Sequence, residues 1–136
     1  MNFKNSVILI TGASSGIGYQ LVKDLALEGA KLALLSRRIE LLDSLARDLK
    51  DQTIIHNYRC DVTNKVEVAE TISKVKKDFG KIDIAILNSG VAFRSSVLDY
   101  KSEEAEKTFN TNVLGAVYCI EQLLPDFISK KHGAII

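Results

Sequence analysis

The chain has 136 residues, one domain's worth, enough to bury roughly two thirds of its unfolded surface and hold a core. Its 18 basic and 17 acidic residues leave a formal net charge of +1, with no basic stripe for nucleic acid and no acidic tail, so the expected partner is a small molecule. Met1 leads into a strand-forming segment without a leader or a bilayer-length apolar run, and Cys60 and Cys119 lack C-x-x-C or metal spacing; the sequence reads as a cytoplasmic protein with reduced core thiols, away from membranes and without a metal.

Val7 to Ile10 form an unbroken apolar run, which fits a central parallel strand covered on both faces. Thr11 and glycines 12, 16 and 18 follow. Gly12 allows a tight turn, Gly16 lets backbone approach a ligand, and Gly18 lets the next helix pack close to the strand. The loop amides and helix N-terminus would then face an anion such as a dinucleotide pyrophosphate. A nucleoside-triphosphate loop is excluded, because Ile17 stands where its second glycine belongs and no Lys follows. The spacing also differs from G-x-G-x-x-G.

The first helix is expected from Gly16 to Glu28, with Ile17, Leu21, Leu25 and Val22 facing inward and Gly29 as its cap. A second strand takes Lys31 to Leu35. At its end an acidic residue would hydrogen-bond an unmodified ribose, but Ser36 is there, followed by Arg37 and Arg38. Two cations at the positive end of a helix dipole are locally unfavourable, which points to an anionic visitor; a guanidinium suits a 2'-phosphate, and NADP is favoured over NAD.

Ile39 to Lys50 read as a helix with Leu41, Leu42, Leu45 and Leu49 inward, and Thr53 to Tyr58 as a third strand in which His56 is a packed residue. Asp61 could accept from an adenine amino group while Val62 packs on the ring; the alternative is an ordinary turn or cap role. Thr63 or Asn64 caps a helix carrying Val66, Ala69, Ile72, Val75 and Phe79, which stops at Gly80, with Lys74, Lys76 and Lys77 on its solvated face.

Ile82 to Leu87 form a fourth strand delivering Asn88, Ser89 and Gly90 to the crevice beside the first strand, where ligands of such sheets sit. Phe93 and Arg94 are candidate walls of a substrate cleft. One long helix is expected from Ser102 to Ser129, kinked at Pro125, with Ala105, Phe109, Val113, Val117, Ile120, Leu124 and Phe127 as its core stripe. Asn112 interrupts that pattern and needs a partner or a water. Residues 133–136 look like the opening of a fifth strand. The whole is an α/β, Rossmann-type doubly wound parallel sheet with helices on both faces, spanning 1–136 as one unit.

With Thr11-Gly-Ala-Ser-Ser-Gly-Ile-Gly18, Ser36-Arg-Arg38, Asp61-Val62, Asn88-Ser-Gly90 and Asn112-Val-Leu-Gly115 in order, the chain resembles the short-chain dehydrogenase/reductase family along its whole length. Asn88-Ser89-Gly90 departs from the family's usual N-N-A-G. The resemblance implies hydride transfer between NADPH and a carbonyl or secondary alcohol. Gly12, Ser14, Ser15, Ile17 and Arg37 would meet the phosphates, Asp61 and Val62 the adenine, and Asn88 and Gly90 the ribose. Asn112 matches the family's active-site Asn, which holds a water of the proton relay on the helix through which subunits pair, so a homo-oligomer through residues 102–130 is expected. The family's catalytic Ser, Tyr and Lys follow strand five, which implies an amino-terminal half of one domain, inactive alone. Tyr19 and Lys23 satisfy Y-x-x-x-K on the first helix and are expected to be helix surface. The competing reading is a module that binds NADP without turnover.

Overall fold

The structure, a computed structural model, describes residues 3–136; Met1 and Asn2 lie outside the described residues. Its elements run β1 (Val7–Thr11), α1 (Gly16–Leu27), β2 (Lys31–Ser36), α2 (Ile39–Asp48), β3 (Ile55–Arg59), α3 (Lys65–Phe79), β4 (Ile84–Leu87), α4 (Ser102–Phe109), a π-helical turn (Asn110–Leu114), α5 (Gly115–Lys130) and β5 (Ala134–Ile135). The five strands form one parallel sheet in the order β3-β2-β1-β4-β5. β1 lies at its centre and is buried along its whole length, as its continuous apolar run requires.

Alternate residues of each strand enter opposite layers of the core. Ile8, Ile10, Leu32 and Leu34 pack with Val22, Leu25, Leu42 and Leu45 of α1 and α2. Leu9, Ala33, Leu35 and Ala85 pack with Val68, Ile72 and Val75 of α3 and Cys119, Leu123 and Phe127 of α5. Strand order turns back between β1 and β4, and the crevice for a ligand opens past their carboxyl ends.

Several helix faces differ from those the periodicity selects. Ile17 is 74% exposed, Leu21 is half-buried, and Val22, Leu25 and Ala26 carry the contact of α1. Leu41 and Val66 face solvent, while Val68 takes the inward place on α3. The 102–129 stretch is two helices joined by the π-helical turn, and α5 runs on past Pro125 to Lys130. A π turn inserts one residue and rotates the helix beyond it by about 100°. Val113, Val117 and Leu124 consequently lie on the exposed side and Ile120 is half-buried, while Ala105 and Phe109, ahead of the turn, are exposed as well; Gly115, Cys119, Leu123 and Phe127 form the buried line. Gly115 permits the close approach: a Cβ there would sit 2.8 Å from Val62 Cγ2.

Lys76 is no free surface lysine. Its ammonium lies 2.7 Å from Asp126 Oδ2 and donates to the Gln122 carbonyl at 2.8 Å, clasping α3 to α5. His56 packs against Phe79 with the rings tilted by 46° and their centroids 4.7 Å apart.

Candidate functional site

The turn after β1 is built from inside out. Gly12 (φ +66°) and Gly16 (φ +58°) adopt left-handed backbone that glycine reaches without strain. A Cβ on Gly16 would meet nothing within 4 Å, so this backbone fronts open space; a Cβ on Gly18 would come within 2.4 Å of the Gly12 carbonyl oxygen. Only glycine at 18 lets α1 start this close to the strand end. From β4, Asn88 Nδ2 donates to the carbonyls of Thr11 and Gly12 at 3.3 Å each, and the Ser89 amide donates to Thr11 Oγ1 at 3.0 Å.

The helix openings on the two sides of this mouth differ. α3 satisfies its own N-terminus: Asn64 Oδ1 accepts from the amides of Val66 and Glu67, and Glu67 adds a carboxylate to the first turn. At α1 the capping residue Ser15 makes no side-chain cap bond, and the first turn carries no acid. Its orphan amides are left for an anion.

Beside that opening, Ser36 is buried and donates to Ser14 Oγ at 2.8 Å while accepting from the Arg38 amide at 3.1 Å. Arg38 Nη2 reaches back to Ser14 Oγ (3.0 Å) and Ser15 Oγ (2.7 Å). Arg37 stands on the same rim. Among the described residues neither guanidinium is paired with a carboxylate, so two positive charges stand uncompensated next to an uncapped helix N-terminus.

These pieces enclose one hollow of about 370 Å³. Gly12, the Ser14–Ile17 loop, Ser36–Arg38, Cys60–Val62 and Asn88–Val91 line it. The sites expected from sequence are thus brought together, except that Gly18 lies beneath the loop and Asn112 lies on the neighbouring hollow with Phe93. Arg94 lines neither. Asp61 does serve a turn: its Oδ1 accepts from the amide and hydroxyl of Thr63. Asn112 is exposed, and its amide is taken up by the backbone of Val91, accepting from the N–H at 2.8 Å and donating to the carbonyl at 3.0 Å.

Sequence reasoning missed Cys60 and Thr111 as lining residues; both directly adjoin positions it had named. Burial pushes the Cys60 thiol up to about 11, with the Thr71 hydrogen bond opposing, and the Cys119 thiol up to about 12. Such thiols are packing groups rather than nucleophiles. Tyr19 and Lys23 lie on α1 with the ammonium 5.8 Å from the ring centroid, and line none of this hollow. No group of three or more metal-ligating side chains occurs among the described residues, and no described helix is long and apolar enough to cross a membrane.

A family model described as short chain dehydrogenase matches residues 6–136. The chain belongs to the short-chain dehydrogenase family. It is 38% identical over 130 residues to an uncharacterised oxidoreductase of Staphylococcus haemolyticus, covering 96% of this chain and 56% of that one. Its structure superposes on a xylitol dehydrogenase solved with NAD+ at a TM-score of 0.93 and 32% identity, covering 99% of this chain and 53% of the other. An alcohol dehydrogenase from Thermococcus sibiricus, complexed with 5-hydroxy-NADP, gives 0.90 at 27% identity, with 97% and 57% covered. This short-chain dehydrogenase chain therefore spans about half the length of the relatives it matches.

Proposed function

We infer that these residues hold the dinucleotide of an NADPH-dependent oxidoreductase acting on a carbonyl or secondary alcohol. The observation that carries the reading is the rim of the hollow: a buried serine where an acid would bind a plain ribose, and two unpaired guanidinium groups beside an uncapped helix. The named relatives with bound NAD+ and 5-hydroxy-NADP support a nicotinamide cofactor. The donor set fits one. Orphan amides suit the pyrophosphate, Val62 and Asp61 the adenine, Asn88, Ser89 and Gly90 the ribose, and the open face of Gly16 the close approach of the ligand.

When bound, that cofactor supplies the hydride. The chain's own part is to bind and orient it, with Asn112 fixing Val91 at the substrate side of the mouth. The Asn112 side-chain amide spends one N–H and one oxygen lone pair on Val91 and keeps one of each for the water of a proton relay. The exposed apolar stripe of Phe109, Val113, Val117 and Leu124 supports pairing with a second copy through residues 102–130.

The two arginines divide the work. Arg37 has no tie to the loop and would read the 2'-phosphate; Arg38 holds Ser14 and Ser15 and would position the loop for either dinucleotide. Fluorescence titration with NADPH and NADH tests this. Arg37→Ala should weaken NADPH binding by about 10- to 100-fold, one charge-assisted bond, and leave NADH unchanged, whereas Arg38→Ala should weaken both. Equal affinity of the native protein for NADH and NADPH overturns the NADP assignment.

A further inference from the structure

Val97 and Leu98 are 97% and 95% exposed, more than any other large apolar residue described. They take the two central positions of a tight turn in the 91–101 loop, where Gly, Pro, Asn, Asp and Ser are the usual occupants. The Asp99 amide donates to the Ser96 carbonyl at 3.1 Å and the Leu98 amide to Ser96 Oγ at 3.2 Å, so the turn is set by backbone and by Ser96. Nothing in that geometry calls for apolar side chains at the tip, and leaving them in water is unfavourable. The tip is a preformed apolar knob with no socket in its own chain.

A hollow of about 480 Å³ opens between the same loop and α4, with Phe93, Tyr100, Ala105, Phe109, Asn112 and Val113 among its walls. Phe109 and Val113 are 54% and 42% exposed and begin the stripe that continues through Val117 and Leu124 along α5. Knob, hollow and stripe therefore adjoin: the loop that carries the knob walls the hollow, and the far wall of the hollow starts the stripe. A second copy satisfies knob and hollow together, because a two-fold axis between them carries each knob into the other copy's hollow in one step. The position matters for the site. Asn112, on the wall of this hollow, holds Val91 by two hydrogen bonds, and Val91 lines the dinucleotide hollow.

We propose that the 96–99 turn of each copy docks in the hollow of the other, so that Val97 and Leu98 of the second copy complete the wall beside Asn112. This exchange rests on the pairing through residues 102–130 read above, and it makes the mouth beside Asn112 a shared structure finished only in the dimer. Sedimentation equilibrium of the native chain and of Leu98→Ser, with and without NADPH, tests it, together with oxidation of a mixture of Leu98→Cys chains and size-tagged Ala105→Cys chains. The native chain should dimerise. Leu98→Ser should weaken the dimer by about 100-fold or more, because a two-fold pair loses the same contact twice. NADPH affinity and unfolding of the dilute monomer should stay native, since Leu98 is exposed in its own chain. The mixture should give a disulfide-linked heterodimer, the native Cys60 and Cys119 being buried. A native chain that stays monomeric at its highest soluble concentration overturns both the exchange and the pairing. A dimer indifferent to Leu98→Ser, or a mixture without the cross-link, overturns the exchange and leaves pairing through α4 and α5 standing. Failure to bind NADPH, with the Leu98-dependent dimer and the cross-link intact, instead overturns the cofactor reading and leaves the exchange standing.

Discussion

Strands β1 and β4 are tied together at both ends by side chains flanking β4, and the two ties differ in kind. At the amino end Asp83, 8% exposed, accepts from the Val7 amide at 2.9 Å and from Lys81 Nζ at 2.9 Å, with His132 Nε2 3.9 Å from its other oxygen. Its backbone adds bonds to Val7 and to Ala134 of β5. At the carboxyl end the ties are neutral: the Asn88 amide is shared between two carbonyls at 3.3 Å, and the Ser89 backbone amide donates to Thr11 Oγ1 at 3.0 Å. A buried carboxylate closes one end; neutral bonds alone tie the other, and the hollow proposed for the dinucleotide opens there. The amino end holds the sheet together, and the carboxyl end is where the proposed cofactor site opens.

The largest effect is expected from Gly18→Ala. Its Cβ would meet the Gly12 carbonyl at 2.4 Å and Asn88 Nδ2 at 2.6 Å, both members of the carboxyl-end tie, so the loop itself must move. A stability loss of about 1–3 kcal/mol, or somewhat more, should appear in thermal unfolding, together with loss of dinucleotide binding in titration. Unchanged affinity would mean the loop gives way freely, and the contrast between the ends would vanish.

Asp83→Ala should come next and should separate stability from binding. About 1–3 kcal/mol should be lost on denaturant unfolding, while affinity per folded molecule stays native. Its pH dependence sharpens the point. Burial pushes the Asp83 carboxyl up, but the Val7 amide and the Lys81 ammonium outweigh it and hold the group below its usual range. The carboxylate therefore contributes stability above the ordinary value of about 3.9, and that contribution is lost as pH falls through the lower folded-state value. Asp83→Asn should flatten the acid side of the stability curve; a curve as steep as the native one assigns acid sensitivity elsewhere. Lys81 and His132 are largely exposed, so salt should reduce their share.

The smallest effect belongs to Asn112→Ala. Its hydrogen bonds to Val91 are exposed, so about 0.5–1.5 kcal/mol is an upper bound on the stability lost. Faster hydrogen exchange at the Val91 amide is the direct readout. A stability loss as large as that of Asp83→Ala would place a structural tie where the comparison has a neutral one.

Asp83 was legible only as an odd polar residue in an apolar strand, because its partners Val7, Lys81 and His132 are joined to it by topology. Asn112 was visible as a residue needing a partner, and Val91 supplied it from 21 positions away. The glycine loop was far more transparent. Left-handed backbone at 12 and 16 and contact at 18 are local demands, met by local residues.

By itself the sequence determined the alternation of strand and helix, the central buried strand and the glycine turn with its flanking arginines, because each is written in neighbouring residues. Only the tertiary structure decided which side of each helix meets the sheet. Ile17, Val66, Val113 and Val117 have the apolar character of core residues yet face outward. Periodicity specifies a stripe but not its docking angle, and one π-helical turn, with Gly115 small enough to admit Val62, set that angle for α5.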